Sequence, residues 1–189
     1  SDLDCERLAH QFCRVRAVTT PQSTSPLPTV TLNGTTTDVL RTYIPPAVLA
    51  RVDAGQGNFL ADLRRVTVLF IQFFGMDVKD VAQLQAIAEV LQSVIQRYEG
   101  TVVQLMTDDK GTVGIACFGL PPITHEDDAV RAILAGQSIQ AELASRGWIA
   151  GVGIATGRVF CGPLGSRSRQ VYAIIGNKVN LAARLMQQA

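Results

Sequence analysis

The chain has 189 residues, 47% hydrophobic and 17% charged, with a formal net charge of +1; that is enough for one ordinary domain with its own core plus an appendage. A near-balanced charge lays down no broad basic footprint for nucleic acid or for an anionic membrane surface, so neither is expected as a partner. The longest apolar run, "VTVLFIQFFGM", is too short to span a bilayer, and no charged-then-apolar leader opens the chain, so a cytoplasmic protein is expected.

Residues 1 to 18 have Leu3, Leu8, Phe12 and Val15 at roughly helical spacing, which predicts a short helix. Residues 19 to 38, "TTPQSTSPLPTVTLNGTTTD", are rich in Thr, Ser and Pro and read as a linker. The main domain is expected from Val39. It opens with a helical lead-in, "TDVLRTYIPPAVLARV", interrupted by Pro45 and Pro46. "RVTVLFIQFF" is apolar and β-branched throughout, as a strand buried on both faces should be. "DVKDVAQLQAIAEVLQSVIQRYEG" carries Val81, Leu84, Ile87, Ala88, Leu91, Ile95 and Tyr98 on one stripe, with Gly100 as a stop. "TVVQLM" and "TVGIACFG" flank the turn signal "TDDKG". Thr124 with Asp127 resembles a capping box for a helix running to about Arg146, ended by Gly147. "WIAGVGIATGRVFCG" and "QVYAIIG" are further strands, and a last helix begins near Asn177. The order predicts an α+β fold, a ferredoxin-like βαββαβ layer with an extra strand and helix.

Metal and redox signals are weak. Cys5, Cys13, Cys117 and Cys161 form no CxxC pair, and His10 and His125 are the only histidines, so a zinc site is not expected. Scattered buried thiols in a reducing compartment fit this pattern. No P-loop motif is present. Gly162, Gly165, Arg167 and Arg169 in "CGPLGSRSRQ" read as a basic hairpin tip, since no helix follows directly to present its N-terminus to a phosphate. Glu126, Asp127 and Asp128 complement a helix dipole. An RNA-binding role is disfavoured, because the central strands lack paired exposed aromatics.

The last helix is different. In "YAIIGNKVNLAARLM", Val179, Ala182, Ala183 and Met186 can face a sheet, while Asn180 and Arg184, four apart, project together from a neighbouring face. A guanidinium is a planar fork of donors suited to phosphate oxygens, and a carboxamide can bond a sugar oxygen without adding charge. Spacing alone is met as well by a solvated arginine and an asparagine bonded to nearby backbone.

"YAIIGNKVNLAARL" closely resembles the Tyr-Thr-x-x-Gly-x-x-Val-Asn-x-Ala-Ala-Arg-Leu signature of class III nucleotidyl cyclases. "RRVTVLFIQFFG" resembles their first core strand, "HEDDAVRAILAGQSIQ" their second helix, and "GVGIATGRVFCGPLGSRSRQVY" the strand pair before the signature. The likeness runs from about Val39 to Ala189. It implies a ferredoxin-like domain whose active sites form between two such domains. There the ribose 3′-hydroxyl attacks the α-phosphate, assisted by two divalent metals, Mg²⁺ or Mn²⁺, on two aspartates. By this resemblance Asn180 would position the ribose and Arg184 would stabilise the transition state.

The departures from the family pattern carry information too. The first metal aspartate falls at Gln72, an uncharged amide and a poor ligand for a hard cation. Counting forward from Gln104 puts the second at Asp108; counting back from "CFG" puts it at Thr112, because the hairpin is longer than usual. Asp108 and Asp109 read as turn formers. The resemblance therefore implies that the metal is held by a partner domain. The nearest likeness is to the second, non-metal-carrying half of soluble bicarbonate-responsive adenylate cyclases. A preceding cyclase domain in the same chain would be the partner, and a further C-terminal segment would follow Ala189. The base-reading positions of the family hold Gln104 and Ala173; Gln104 can bond either purine edge, and Ala173 offers no side-chain bond. The expectation is thus the second catalytic half of an adenylate cyclase acting on ATP and inactive alone. The alternatives are a degenerate domain with a regulatory or dimerisation role, and a guanylate cyclase half.

Overall fold

A computed structural model describes residues 3–7, 13–18, 34–44, 46–55, 62–77, 79–108, 111–166 and 170–189. The chain divides into two compact units, Ser1–Thr37 and Asp38–Ala189. In the first, β1 (Leu3–Arg7) and β2 (Cys13–Val18) pair antiparallel, so the helix expected over residues 1 to 18 is not formed there. The reason lies in "CRVRAV", where Arg14 and Arg16 alternate with Cys13, Val15 and Ala17 at the period of a strand. Both arginines lie near Glu6 across the ladder, Arg16 at 2.7 Å and Arg14 at 3.8 Å. Of the expected linker, residues 19 to 33 lie outside the described residues, and its end is helical: α1 spans Gly34–Arg41.

The lead-in is two short helices, α1 and α2 (Pro46–Asp53), with Pro46 as the first residue of α2, where a missing N–H costs nothing. Arg41 of α1 meets Asp53 of α2 at 2.6 Å. Then follow β3 (Asp62–Phe74), α3 (Val81–Arg97), β4 (Thr101–Asp108), β5 (Gly111–Phe118), α4 (Asp128–Ala144), β6 (Ile149–Gly165), β7 (Gln170–Ile175) and α5 (Asn177–Met186). The sheet order is β4-β5-β3-β6-β7, with every neighbour antiparallel. The first four strands in this unit and their two helices form the expected ferredoxin-like layer, with β7 and α5 added.

Alternation along β3 sorts its residues onto two faces. Leu69, Ile71 and Phe73 join Ile87, Leu91 and Ile95 of α3 and Ala132, Ile139 and Leu143 of α4 in one core. Val66, Val68 and Phe70 point the other way, to a second core shared with Ala182 and Val179 of α5. Val81 is 75% exposed and leaves the expected stripe of α3; Val90 and Val94 take its place inside.

The ends of the helices differ from the expectations. Asp80 caps α3, its Oδ1 accepting from the backbone N–H groups of Ala82 and Gln83 at 3.0 and 3.2 Å. The residue that turns left-handed after α3 is Glu99, φ 60°, and not Gly100. Gly100 is required for space, since a Cβ there would lie 2.7 Å from the Phe118 ring. No Thr124 capping box forms: α4 starts at Asp128, whose Oδ2 accepts from the backbone N–H of His125 at 3.2 Å. Among the described residues no helix is long and apolar enough to cross a membrane.

Candidate active-site face

The face of the sheet turned away from α3 and α4 carries the candidate chemistry, and α5 lies on it. Ala182 and Met186 anchor the helix, 0% and 5% exposed. The backbone lets α5 come this close because β6 offers glycines beneath it. A Cβ on Gly153 would run into the Ala182 carbonyl oxygen and the Met186 nitrogen, and one on Gly151 would lie 3.3 Å from the Met186 oxygen. With Ala182 and Met186 fixed inward, helical geometry turns Asn180, Leu181, Arg184 and Leu185 outward, and all four are exposed. Asn180 and Arg184 stand one turn apart, about 6 Å between β-carbons. Among the described residues neither side chain has a partner within the domain, so both are available to something outside it.

A cleft of about 370 Å³ opens on this face between β4, β5, β7 and the start of α5. Val103, Ile115, Ile174 and Val179 supply apolar walls, and Gln104, Tyr172 and Ala173 line it as well. Gln104 and Ala173, on opposite edges of the sheet, are brought together because the far end of β6 leaves β3 at Cys161 and continues with β7 alone. Sequence reasoning found Gln104 and Ala173 but not the walls. Their signal is there, since Val103, Ile115 and Ile174 are β-branched residues on strands, but nothing local says that they converge.

The positions that the resemblance matches to metal aspartates do not come together. Gln72 is half-buried and points to the α5 side, opposite Val113 of β5 and Gly151 of β6. Thr112 pairs with Phe73, so it lies on the other side, fully buried under the helices and sharing a 3.0 Å hydroxyl–hydroxyl bond with Thr107. Asp108 faces the α5 side but is exposed at the end of β4, opposite Gly111, beyond the Met106–Val113–Gln72 row. A neutral amide, a buried hydroxyl on the wrong face and one outlying carboxylate do not make a site for a hard divalent cation. Among the described residues no three His, Cys, Asp or Glu side chains converge on one. Asp109, Arg167 and Arg169 lie outside the described residues.

Two thiols are buried in the second core. Burial pushes the Cys117 thiol well up and Cys161 to about 11. Around the start of α4, Arg131 bonds Asp127 at 2.8 Å and Glu99 at 2.6 Å, and the bond from Arg131 holds the Asp127 carboxyl below its ordinary range.

No family model matches the chain. It is 31% identical to rat adenylate cyclase type 10 over 154 residues, 78% of this chain but 10% of that protein. The human protein of the same name is 30% identical over the same length. The chain thus spans about a tenth of the length of these relatives. The structure of a bacterial light-regulated adenylyl cyclase superposes with a TM-score of 0.68 at 22% identity, covering 82% of this chain and 49% of that one. A guanylyl cyclase, Cya2, superposes with a TM-score of 0.53 at 27% identity, covering 68% and 72%. Adenylyl and guanylyl cyclases both share the fold, so the fold does not choose the base. By sequence and architecture together, the chain belongs to the catalytic domains of the class III nucleotidyl cyclases.

Proposed function

We propose that this domain is the second catalytic half of an adenylate cyclase, converting ATP to cyclic AMP and pyrophosphate at an interface with a metal-bearing partner domain. The observation that carries this reading is one face. Asn180 and Arg184 stand adjacent on α5 with no side-chain partner among the described residues, beside an apolar-walled cleft with an amide at its rim, and by the family resemblance Gln72 falls where a metal carboxylate is expected. Retention of the transition-state clamp without the metal ligands fits a domain that works in a pair. Cyclase catalytic domains pair with a second such domain, and the class uses Mg²⁺ or Mn²⁺. The exposed Leu181 and Leu185 flanking the two polar groups suit a surface that becomes covered.

In this reading the base enters the cleft beside Gln104 and Ala173, and Asn180 holds the ribose so that O3′ lies in line with the α-phosphorus. As the 3′-hydroxyl gives up its proton to water, the O3′–phosphorus bond forms and the bond to pyrophosphate breaks, and negative charge builds on the equatorial oxygens. The Arg184 guanidinium, without a partner among the described residues, meets that charge with parallel N–H donors.

The test is reconstitution. The chain alone should make no cyclic AMP; mixed with a cyclase domain carrying both aspartates, and with Mn²⁺, it should. Arg184→Ala should lower that turnover about 10²- to 10³-fold, the usual loss for one preorganised donor to developing charge. The thermal midpoint should hold, since among the described residues the side chain has no partner to lose. A pair indifferent to Arg184 overturns the reading. Nucleotide bound at the interface with no product formed would favour the regulatory or dimerisation role, for which Gln72, Gln104 and Ala173 are the supporting residues.

A further inference from the structure

Helix α4 is apolar on two sides. Ala132, Ala135, Ile139 and Leu143 are buried in the core beneath it. Its outer side carries a second stripe. Val130, Leu134, Gln137, Ala141 and Ala144 follow one another at steps of four, three, four and three, and all five are exposed. Val130 is 54% exposed, Leu134 43%, and Ile133 beside the stripe 47%. A surface helix ordinarily turns charged residues outward, whereas a seam at this spacing is what one helix uses to meet another.

The order of residues along the seam says which helix it suits. Bulk lies toward one end, with Val130, Ile133 and Leu134, and small residues toward the other, Ala141 and Ala144. Charge divides the same way: Glu126 and Asp127 stand at the amino end and Arg146 at the carboxyl end, all three exposed. Asp127 is bonded by Arg131, but among the described residues the side chains of Glu126 and Arg146 have no partner. A second copy laid antiparallel answers each of these features. With the two-fold axis at Gln137, Val130 falls against the partner's Ala144 and Leu134 against the partner's Ala141. Arg146 comes within reach of the acidic turn that opens the other α4, and the helix dipoles oppose. The two Gln137 carboxamides meet at the axis, where each can donate to and accept from the other. A parallel pairing would instead set leucine on leucine, leave the alanines gapped and bring like charges together at both ends.

We propose that α4 is a self-association surface, pairing antiparallel with α4 of a second copy of this chain about a two-fold axis at Gln137. The seam lies on the side of the sheet away from α5, so the pairing leaves Asn180 and Arg184 open to a different domain. Two 17-residue helices touch over about 25 Å, which buries less than a permanent interface does, so the dissociation constant is on the order of 100 µM.

The test is sedimentation equilibrium of the full 189-residue chain from about 10 to about 500 µM, where a reversible monomer–dimer equilibrium should appear. Leu134→Glu should weaken it about tenfold or more at unchanged Tm, since the side chain faces outward. Arg146→Glu should weaken it about threefold, and adding Glu126→Arg should recover most of that loss. Orientation is read by oxidation in a background with Cys5→Ser and Cys13→Ser. Gln137→Cys should then crosslink to a dimer and Val130→Cys should not, because only position 137 meets itself. Crosslinking through Val130→Cys, or none through Gln137→Cys, overturns the proposal. So does a chain that stays monomeric over the whole range, or a dimer that Leu134→Glu leaves intact; if Leu181→Glu breaks that dimer, the contact lies on the α5 face instead.

Discussion

At the scale of single residues, what matters is which side of the sheet a group faces, and a one-residue difference decides it. Gln72 and Phe73 are neighbours, yet one looks toward α5 and the other into the core under α3 and α4. Thr112, opposite Phe73, is thereby removed from any site that Gln72 could share. Counting along the sequence could not separate Asp108 from Thr112, because facing is a property of two paired strands and the hairpin length sets the register. The residue types were legible, and so was the absence of a carboxylate at Gln72. The buried thiols allow a prediction at this scale. With Cys161 raised to about 11 from an ordinary 9.0, and Cys117 raised as well, both should be protonated and shielded at pH 8. Iodoacetamide should leave them unmodified in the folded chain and label them in denaturant. An acid whose folded value lies above its unfolded one stabilises fully below the unfolded value. That contribution is lost as pH rises through the folded one. Stability measured by urea unfolding should therefore decline between about pH 9 and 11. Rapid labelling of native Cys161 at pH 8 would contradict this.

At the scale of elements, the site depends on how α5 lies on β6. A Cβ on Gly153 would meet the helix backbone itself, and backbone cannot step aside. Gly153→Ala should destabilise by the cost of overpacking, about 1–3 kcal/mol or more, and lift the helix that carries Asn180 and Arg184. Gly157 is a control on the same strand. A Cβ there would meet the Lys178 side chain at 2.6 Å, and a flexible stem can move. Calorimetry should show a clear fall in Tm for Gly153→Ala and little change for Gly157→Ala; equal midpoints would show that α5 is not held as described. The order of strands and helices from β3 to α5 was readable, because the apolar period changes sharply from 2 to 3.6 and back. The amino-terminal strands were missed because four apolar residues at loose helical spacing were weighed above the alternation in "CRVRAV". The bulge at Val103, between the pairs Val102–Ala116 and Gln104–Ile115, left no local trace, since "TVVQLM" is a good strand with or without it. The stop after α3 was read correctly in place but for the wrong reason, as Gly100 serves the Phe118 ring and Glu99 makes the turn.

At the scale of the whole molecule, both cores lie within residues 38–189, one on each face of a single sheet. One face is closed by α3 and α4. The other is only partly covered by α5 and keeps Phe74, Met106, Leu181 and Leu185 in solvent. That asymmetry could be foreseen from the element order, which supplies two crossover helices to one side and one short helix to the other. The cleft between β4 and β7 could not, because it depends on β6 running past the end of β3.

The position of β3 has a consequence for how the chain must be made. It is the first strand of its sheet to leave the ribosome, yet it sits in the middle. Both its neighbours come later, β5 after a helix and a strand, and the part of β6 that pairs with it only when Cys161 has emerged, 87 residues beyond Phe74. At ordinary translation speeds the β6 edge of this apolar segment stays open for about 4–17 s, and the β5 edge too until Phe118 has emerged. Such a segment invites pairing with other nascent chains, so yield in the cell should be set by chaperone supply more than by native stability. A chain ended at residue 148, before β6, should partition to the pellet while the full chain does not; recovery of that shorter chain as soluble monomer would show that β3 is protected in some other way.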